Sequence, residues 1–107
     1  MKITKIETFQ LTSKLETPFG WSQDWITNRS VGIVKVSTDE GITGWGEGCG
    51  GPASEVVNKV LTPLLIGSDP LNRIKQWQLM FGTLYNANQA GGFGGSAISA
   101  IDIALWD

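Results

Sequence analysis

The chain has 107 residues, 41% hydrophobic and only 17% charged, with a formal net charge of −2. That suits one domain, large enough to hide roughly two thirds of the surface its extended chain would expose and too apolar to stay disordered. It offers no basic field for a phosphate backbone, and its lack of histidine and single cysteine, Cys49, exclude an internal disulfide and histidine-based acid–base or metal chemistry.

Met1 to Gln10 alternates charged and apolar residues and has no apolar core, so it does not read as an export signal. No run approaches the roughly 18 uninterrupted apolar residues of a membrane span. A cytoplasmic protein that binds neither nucleic acid nor membrane is the expectation.

Ile3 to Leu11 is rich in apolar and β-branched residues and reads as a first strand. Thr12 to Asn28 reads as a long irregular loop, punctuated by Pro18 and Gly20 and carrying Phe19, Trp21 and Trp25. Arg29 to Thr38 is a second strand, with Val31 and Ile33 on one face and Val34 and Val36 on the other. Thr38-Asp39-Glu40-Gly41 is a hairpin turn in which Gly41 takes a positive φ. The third strand, Ile42 to Cys49, has glycine at 44, 46 and 48. Because side chains alternate along a strand, one face is bare and the other carries Trp45, Glu47 and Cys49. A bare face admits another backbone at close range.

Helices follow. Val56, Val57, Val60, Leu61 and Leu64 form a helical stripe that Pro63 weakens or ends. Asp69-Pro70 predicts a helix start with aspartate as N-cap, after which Ile74, Trp77, Phe81 and Leu84 share a face. Asn86 to Gly95 is a glycine-rich loop, and Ser96 is positioned to cap a last helix. There Ile98, Ile101 and Leu105 line one side and Ala97, Ala100 and Ala104 another, so this helix is expected to be buried on several sides. Three strands followed by about three helices make an α+β unit, with no internal repeat and no linker. The apolar run continues to Asp107 without a cap, which predicts a domain truncated at a junction to further chain.

Gly46-Glu47-Gly48-Cys49-Gly50-Gly51 matches a dinucleotide fingerprint, but a nucleotide-binding βαβ unit needs a parallel strand after the helix. Here an antiparallel hairpin precedes the motif and a second helix follows. Gly91 to Ser96 has free amides for an anion, yet no lysine and no preceding strand, so loop flexibility is the simpler reading. The acids are scattered, with no spacing that converges oxygen ligands on a cation. Asp102, a lone acid in a buried helix, predicts a structural bond to backbone or to an arginine. Cys49 reads as a small buried hydrophobe. Phe19, Trp21 and Trp25 either tuck into the domain's own core or form an exposed lid over a pocket supplied elsewhere.

The order of these pieces resembles a known family. It comprises Met-Lys-Ile-Thr-Lys-Ile, a long aromatic loop, Val-Gly-Ile-Val-Lys-Val, the hairpin Thr-Asp-Glu-Gly-Ile-Thr-Gly-Trp-Gly-Glu-Gly, the Gly67-Ser68-Asp69-Pro70 helix start and the closing run Ser96 to Asp107. Over its whole length, residues 1–107, the chain is similar to the amino-terminal domain of the mandelate racemase and muconate lactonizing enzyme group of the enolase superfamily. The resemblance implies an α+β cap on a C-terminal (β/α) barrel. That barrel would hold the Mg²⁺ ligands and the bases that remove the proton α to a small carboxylate substrate, the metal stabilising the enediolate. It further implies that Pro18 to Trp25 and Glu47 to Gly51 are two specificity loops closing over the distal end of the substrate. The candidate residues are Phe19, Trp21, Trp25, Glu47, Cys49 and Gly50, with Glu47 either accepting bonds from hydroxyls or serving the strand end. Acid-sugar dehydration is the first expectation for the full-length enzyme, a homo-oligomer, with racemisation or cycloisomerisation next. The fragment alone is expected to be inactive. The rival reading is a free-standing, non-catalytic module that binds a ligand or a protein.

Overall fold

A computed structural model describes Met1 to Asp107. Its sheet has three antiparallel strands in the order β1-β2-β3, where β1 is Ile3–Gly20, β2 is Trp25–Thr38 and β3 is Thr43–Glu47. The helices are α1 (Pro52–Val56), α2 (Thr62–Leu65), α3 (Arg73–Asn86) and α4 (Phe93–Trp106). A π-helical turn, Val57–Leu61, joins α1 to α2, so the chain forms three helical rods, the predicted α+β architecture. No helix is long and apolar enough to cross a membrane.

Strand alternation decides which face the helices cover. Ile6, Val34 and Val36 point inward and are buried with Ala97, Ile98, Ala100, Ile101 and Leu105 of α4. Phe9, Leu11 and Trp45 point outward and are exposed. The bare face of β3 has the predicted use. A β carbon at Gly44 would fall on the carbonyl oxygen of Ala104, and one at Gly46 on that of Ala100. Glycine on the strand and alanine on the helix thus let two backbones meet. Gly41 closes the β2–β3 turn at φ 79°, and both Thr38 N–H and Thr38 Oγ1 donate to the Ile42 carbonyl, at 3.0 and 2.9 Å.

The segment expected to be an irregular loop, Thr12 to Asn28, belongs mostly to β1 and β2. Thr12 lies opposite Ser30 and Lys14 opposite Asn28. After a wide bulge, Phe19 pairs with Ile26 and Gly20 with Trp25. Both faces of this ribbon are solvated, so it lacks the two-residue hydrophobic period that marks a half-buried strand. Pro18 sits inside the bulge, where no ladder N–H is required of it.

Helix boundaries depart from expectation at two of three points. Pro63 weakens its helix, as expected, and the helix ends at Leu65, two residues on. The π-turn widens the backbone before the proline ring, and Thr62 Oγ1 donates to the Val57 carbonyl at 2.8 Å. Asp69 does not cap α3, which begins at Arg73; its carboxylate instead accepts from Leu71 N–H at 2.9 Å in a local turn. Ser96 lies inside α4, whose N-cap is Gly92 at φ 56°.

The buried face of α3 is Gln76, Met80 and Leu84, whereas Ile74, Trp77, Phe81 and Tyr85 lie on its exposed side. The three rings stack along that side, with centroids 4.9 Å and 5.8 Å apart. Asp102 forms neither of the predicted bonds, to backbone or to an arginine, and makes no salt bridge. It is only half-buried, in a groove beside Arg73 and Trp106, where water can solvate it.

Candidate functional site

The first predicted loop is the tip of the β1–β2 ribbon. Trp21 N–H donates to the Asp24 carbonyl at 2.9 Å, and Trp25 N–H donates to Asp24 Oδ1 at 2.7 Å, so Asp24 ties the turn on both of its sides. The Trp25 indole lies over Gly20, with ring atoms 3.0 to 3.2 Å from where a β carbon would stand. The Arg29 guanidinium covers the Phe19 ring at 5.5 Å. Even so, Phe19, Trp21 and Trp25 are 46%, 66% and 70% exposed. They do not tuck into the domain's own core. Three large aromatic side chains are held out by an ordered turn, which is costly in water unless something covers them.

The second predicted loop leaves the end of β3. Glu47 pairs with Ile33 and points to the outer face of the sheet. There it lines a groove of about 560 Å³ with Leu11, Ser13, Arg29, Ser30 and Val31. The groove exists because β3 stops at Glu47 while β1 and β2 continue. Its polar rim includes the Thr12 and Ser30 hydroxyls, 3.0 Å apart. Beyond Glu47 the chain turns to the inner face, at Gly48 with φ 128° and Gly51 with φ 58°. The Cys49 side chain is buried beneath this arc, and burial pushes its thiol pKa up. Cys49 is thus the small buried hydrophobe that was expected, and Gly50 beside it is half-buried.

These two loops do not form one cluster within the chain. Trp25 lies eight residues along β2 from Ile33, the partner of Glu47, or roughly 27 Å at strand spacing. Glu47 faces outward while Cys49 and Gly50 lie inward. Three neighbours were absent from the sequence-based candidates: Arg29, Gln10 and Gly32. A glycine inside an otherwise β-branched strand is a mark of close backbone approach, and Gly32 does lie under the arc. Arg29 and Gln10 carry no comparable mark.

No group of three Asp, Glu or Cys side chains converges as a metal site. The residues present do not fit Mg²⁺, which needs several oxygen ligands around one point.

A family model described as the mandelate racemase / muconate lactonizing enzyme, N-terminal domain, matches residues 3–107. D-galactarolactone cycloisomerase of Agrobacterium fabrum is 38% identical over 109 residues, covering all of this chain and 28% of that protein. D-galactonate dehydratase of Ralstonia pickettii is 37% identical over 115 residues, again across the whole chain and 24% of the relative. Among solved structures, a racemase from Streptomyces coelicolor with bound magnesium superposes at TM-score 0.86 and 33% identity, over 97% of this chain and 30% of that one. The chain thus spans between 24% and 30% of the length of these three proteins.

Proposed function

Because this chain belongs to the N-terminal domain family of mandelate racemase and muconate lactonizing enzymes, in the enolase superfamily, we propose that it caps and shapes the substrate pocket of a longer enzyme. The rest of that enzyme is a (β/α) barrel carrying the bases and the Mg²⁺ ligands. The observation that carries this reading is the ribbon tip, where Trp21 and Trp25 are held in an ordered turn with nothing in the chain to cover them. Such a tip suits a lid over a pocket built by another domain.

The reaction class is proton abstraction α to a carboxylate, with dehydration of an acid sugar first and cycloisomerisation or racemisation next. The chain's contribution is to seat the distal end of the substrate and exclude water from the barrel mouth. Phe19, Trp21 and Trp25 supply apolar cover. The arc Glu47–Gly51 supplies a wall, and Glu47, Ser13 and Ser30 offer acceptors and donors for substrate hydroxyls. Names of two relatives, a galactarolactone cycloisomerase and a galactonate dehydratase, support a polyhydroxylated acid or its lactone. On this reading the full-length enzyme is a cytoplasmic homo-oligomer. On the same reading the fragment alone is inactive, the bases and the metal ligands belonging to the barrel.

The test is to incubate the full-length enzyme with Mg²⁺ and a panel of sugar acids and lactones in D₂O. Exchange of the α hydrogen, or turnover, is expected for at least one polyhydroxylated substrate. Silence across the panel, with the protein folded and Mg²⁺ bound, would overturn the proposal.

A further inference from the structure

Gln10 stands opposite Gly32 in the β1–β2 register, and both face the helix side of the sheet. A β carbon at Gly32 would overlap the Cys49 carbonyl and the Gly50 nitrogen, so the arc after β3 lies flat on the space that this glycine leaves. Gly48 N–H donates to the Gly32 carbonyl at 3.0 Å, extending the β2–β3 ladder by one bond into the arc. Across that gap the Gln10 side chain uses both ends of its amide. Nε2 donates to the Cys49 carbonyl at 3.1 Å, and Oε1 accepts from Gly51 N–H at 3.3 Å.

The arc needs such a clamp. Of Gly48, Cys49, Gly50 and Gly51, only Cys49 has a side chain to anchor it, and glycine loses the most conformational freedom on ordering. A primary amide is the group that can donate to one backbone unit and accept from another two residues on. Glutamate would keep only the acceptor, and leucine neither.

We propose that Gln10 is a positioning residue: its amide fixes the conformation of Gly48–Gly51 and so sets how the pocket wall meets the distal end of the substrate. The second half rests on the capping role proposed above. It does not require Gln10 to touch substrate.

The test uses the full-length enzyme as wild type, Gln10→Leu and Gln10→Glu, with thermal melting to confirm folding. Deuterium exchange is read on a peptide spanning the arc, and steady-state kinetics on two acid sugars that differ only at the end distal to the carboxylate. Gln10→Leu should raise arc exchange about tenfold. It should also change KM by about fivefold, unequally for the two substrates, with kcat within about twofold. Gln10→Glu, matched in shape, should fall between it and wild type, and it carries the test if the leucine variant does not fold. Unchanged exchange in a folded variant overturns the clamp. Faster exchange with both KM values unchanged overturns its link to selectivity. A wild-type enzyme inactive on every acid overturns that link together with the capping role, while the exchange result still decides the clamp.

Discussion

The backbone N–H of Trp45 donates to Oδ2 of Asp107 at 3.0 Å, joining the outer edge of β3 to the end of α4 across 62 residues of sequence. β3 is an edge strand, and an unpaired edge N–H is both a template for unwanted pairing and a donor in need of a partner. Asp107→Ala should therefore cost about 0.5–1.5 kcal/mol, read as a lower urea midpoint in the full-length protein. Asp107→Asn keeps an acceptor and should lose less. An unchanged midpoint for alanine would mean that water serves the edge equally well.

On either side of Trp45, Gly44 and Gly46 lie directly under α4 carbonyl oxygens. An added methyl there meets backbone, and no rotamer can relieve the overlap. Gly46→Ala should destabilise by about 3 kcal/mol or more, the upper end for overpacking. Gly82 is the control. It sits inside α3, where an added methyl would have nothing within 4 Å, so Gly82→Ala should stabilise by about 0.5–1 kcal/mol through helix propensity. Equal and small effects at the two sites would refute the close-packed account of β3.

The packing of β3 was legible because a run of alternate glycines has few other uses in a strand. So was α4, whose Ala97, Ile98, Ala100, Ile101, Ala104 and Leu105 fall at helical spacing and are buried as expected. The ribbon was not legible. Its inner rungs set Thr12, Ser13 and Lys14 opposite Ser30, Arg29 and Asn28, all polar; of these only Arg29 and Ser30 read as strand, because hydrophobic period cannot report a strand solvated on both faces. The outer face of α3 misled for the opposite reason. Ile74, Trp77 and Phe81 have core-like character and helical spacing, yet the core takes Gln76, Met80 and Leu84. Of the candidate site residues, exposure of the aromatics was one of two open readings, while the turn of Cys49 and Gly50 to the inner face depends on Gly32, a residue from another strand.

Gln76 shows what the α3 reading missed. It is 3% exposed, and its Nε2 donates to the Asp69 carbonyl at 3.1 Å, holding the turn that leads into the helix. Gln76→Leu should keep the volume and lose that bond, lowering stability by about 1–2 kcal/mol in urea unfolding. A gain in stability would show that burying this amide costs more than its bond returns.

Burial raises the Cys49 pKa in the folded protein, whereas the unfolded chain ionises near the ordinary thiol value of about 8.5. Folded-state stability from this group is thus complete below that pH and falls as pH rises toward the raised value, by at most about 1.4 kcal/mol per pH unit. Urea unfolding at pH 7 and pH 9.5 should show a steeper loss in wild type than in Cys49→Ala. Iodoacetamide should label Cys49 only once the chain unfolds. Parallel pH profiles, or rapid labelling of native protein, would contradict burial of this thiol.

Trp21 allows the lid to be tested apart from the fold. The bond it makes within the turn comes from its backbone N–H, and two thirds of the residue is exposed, so Trp21→Ala should shift stability by no more than about 0.5 kcal/mol. If the ring covers the distal end of a substrate in ground and transition states alike, its loss removes uniform binding. KM should then rise about tenfold while kcat holds. Trp25→Ala should behave differently, because its indole also packs on Gly20: the tip should loosen, with kcat falling along with affinity as water reaches the barrel mouth. Full-length kinetics on one sugar acid separate these outcomes, and wild-type values for both variants would remove the ribbon tip from the pocket altogether.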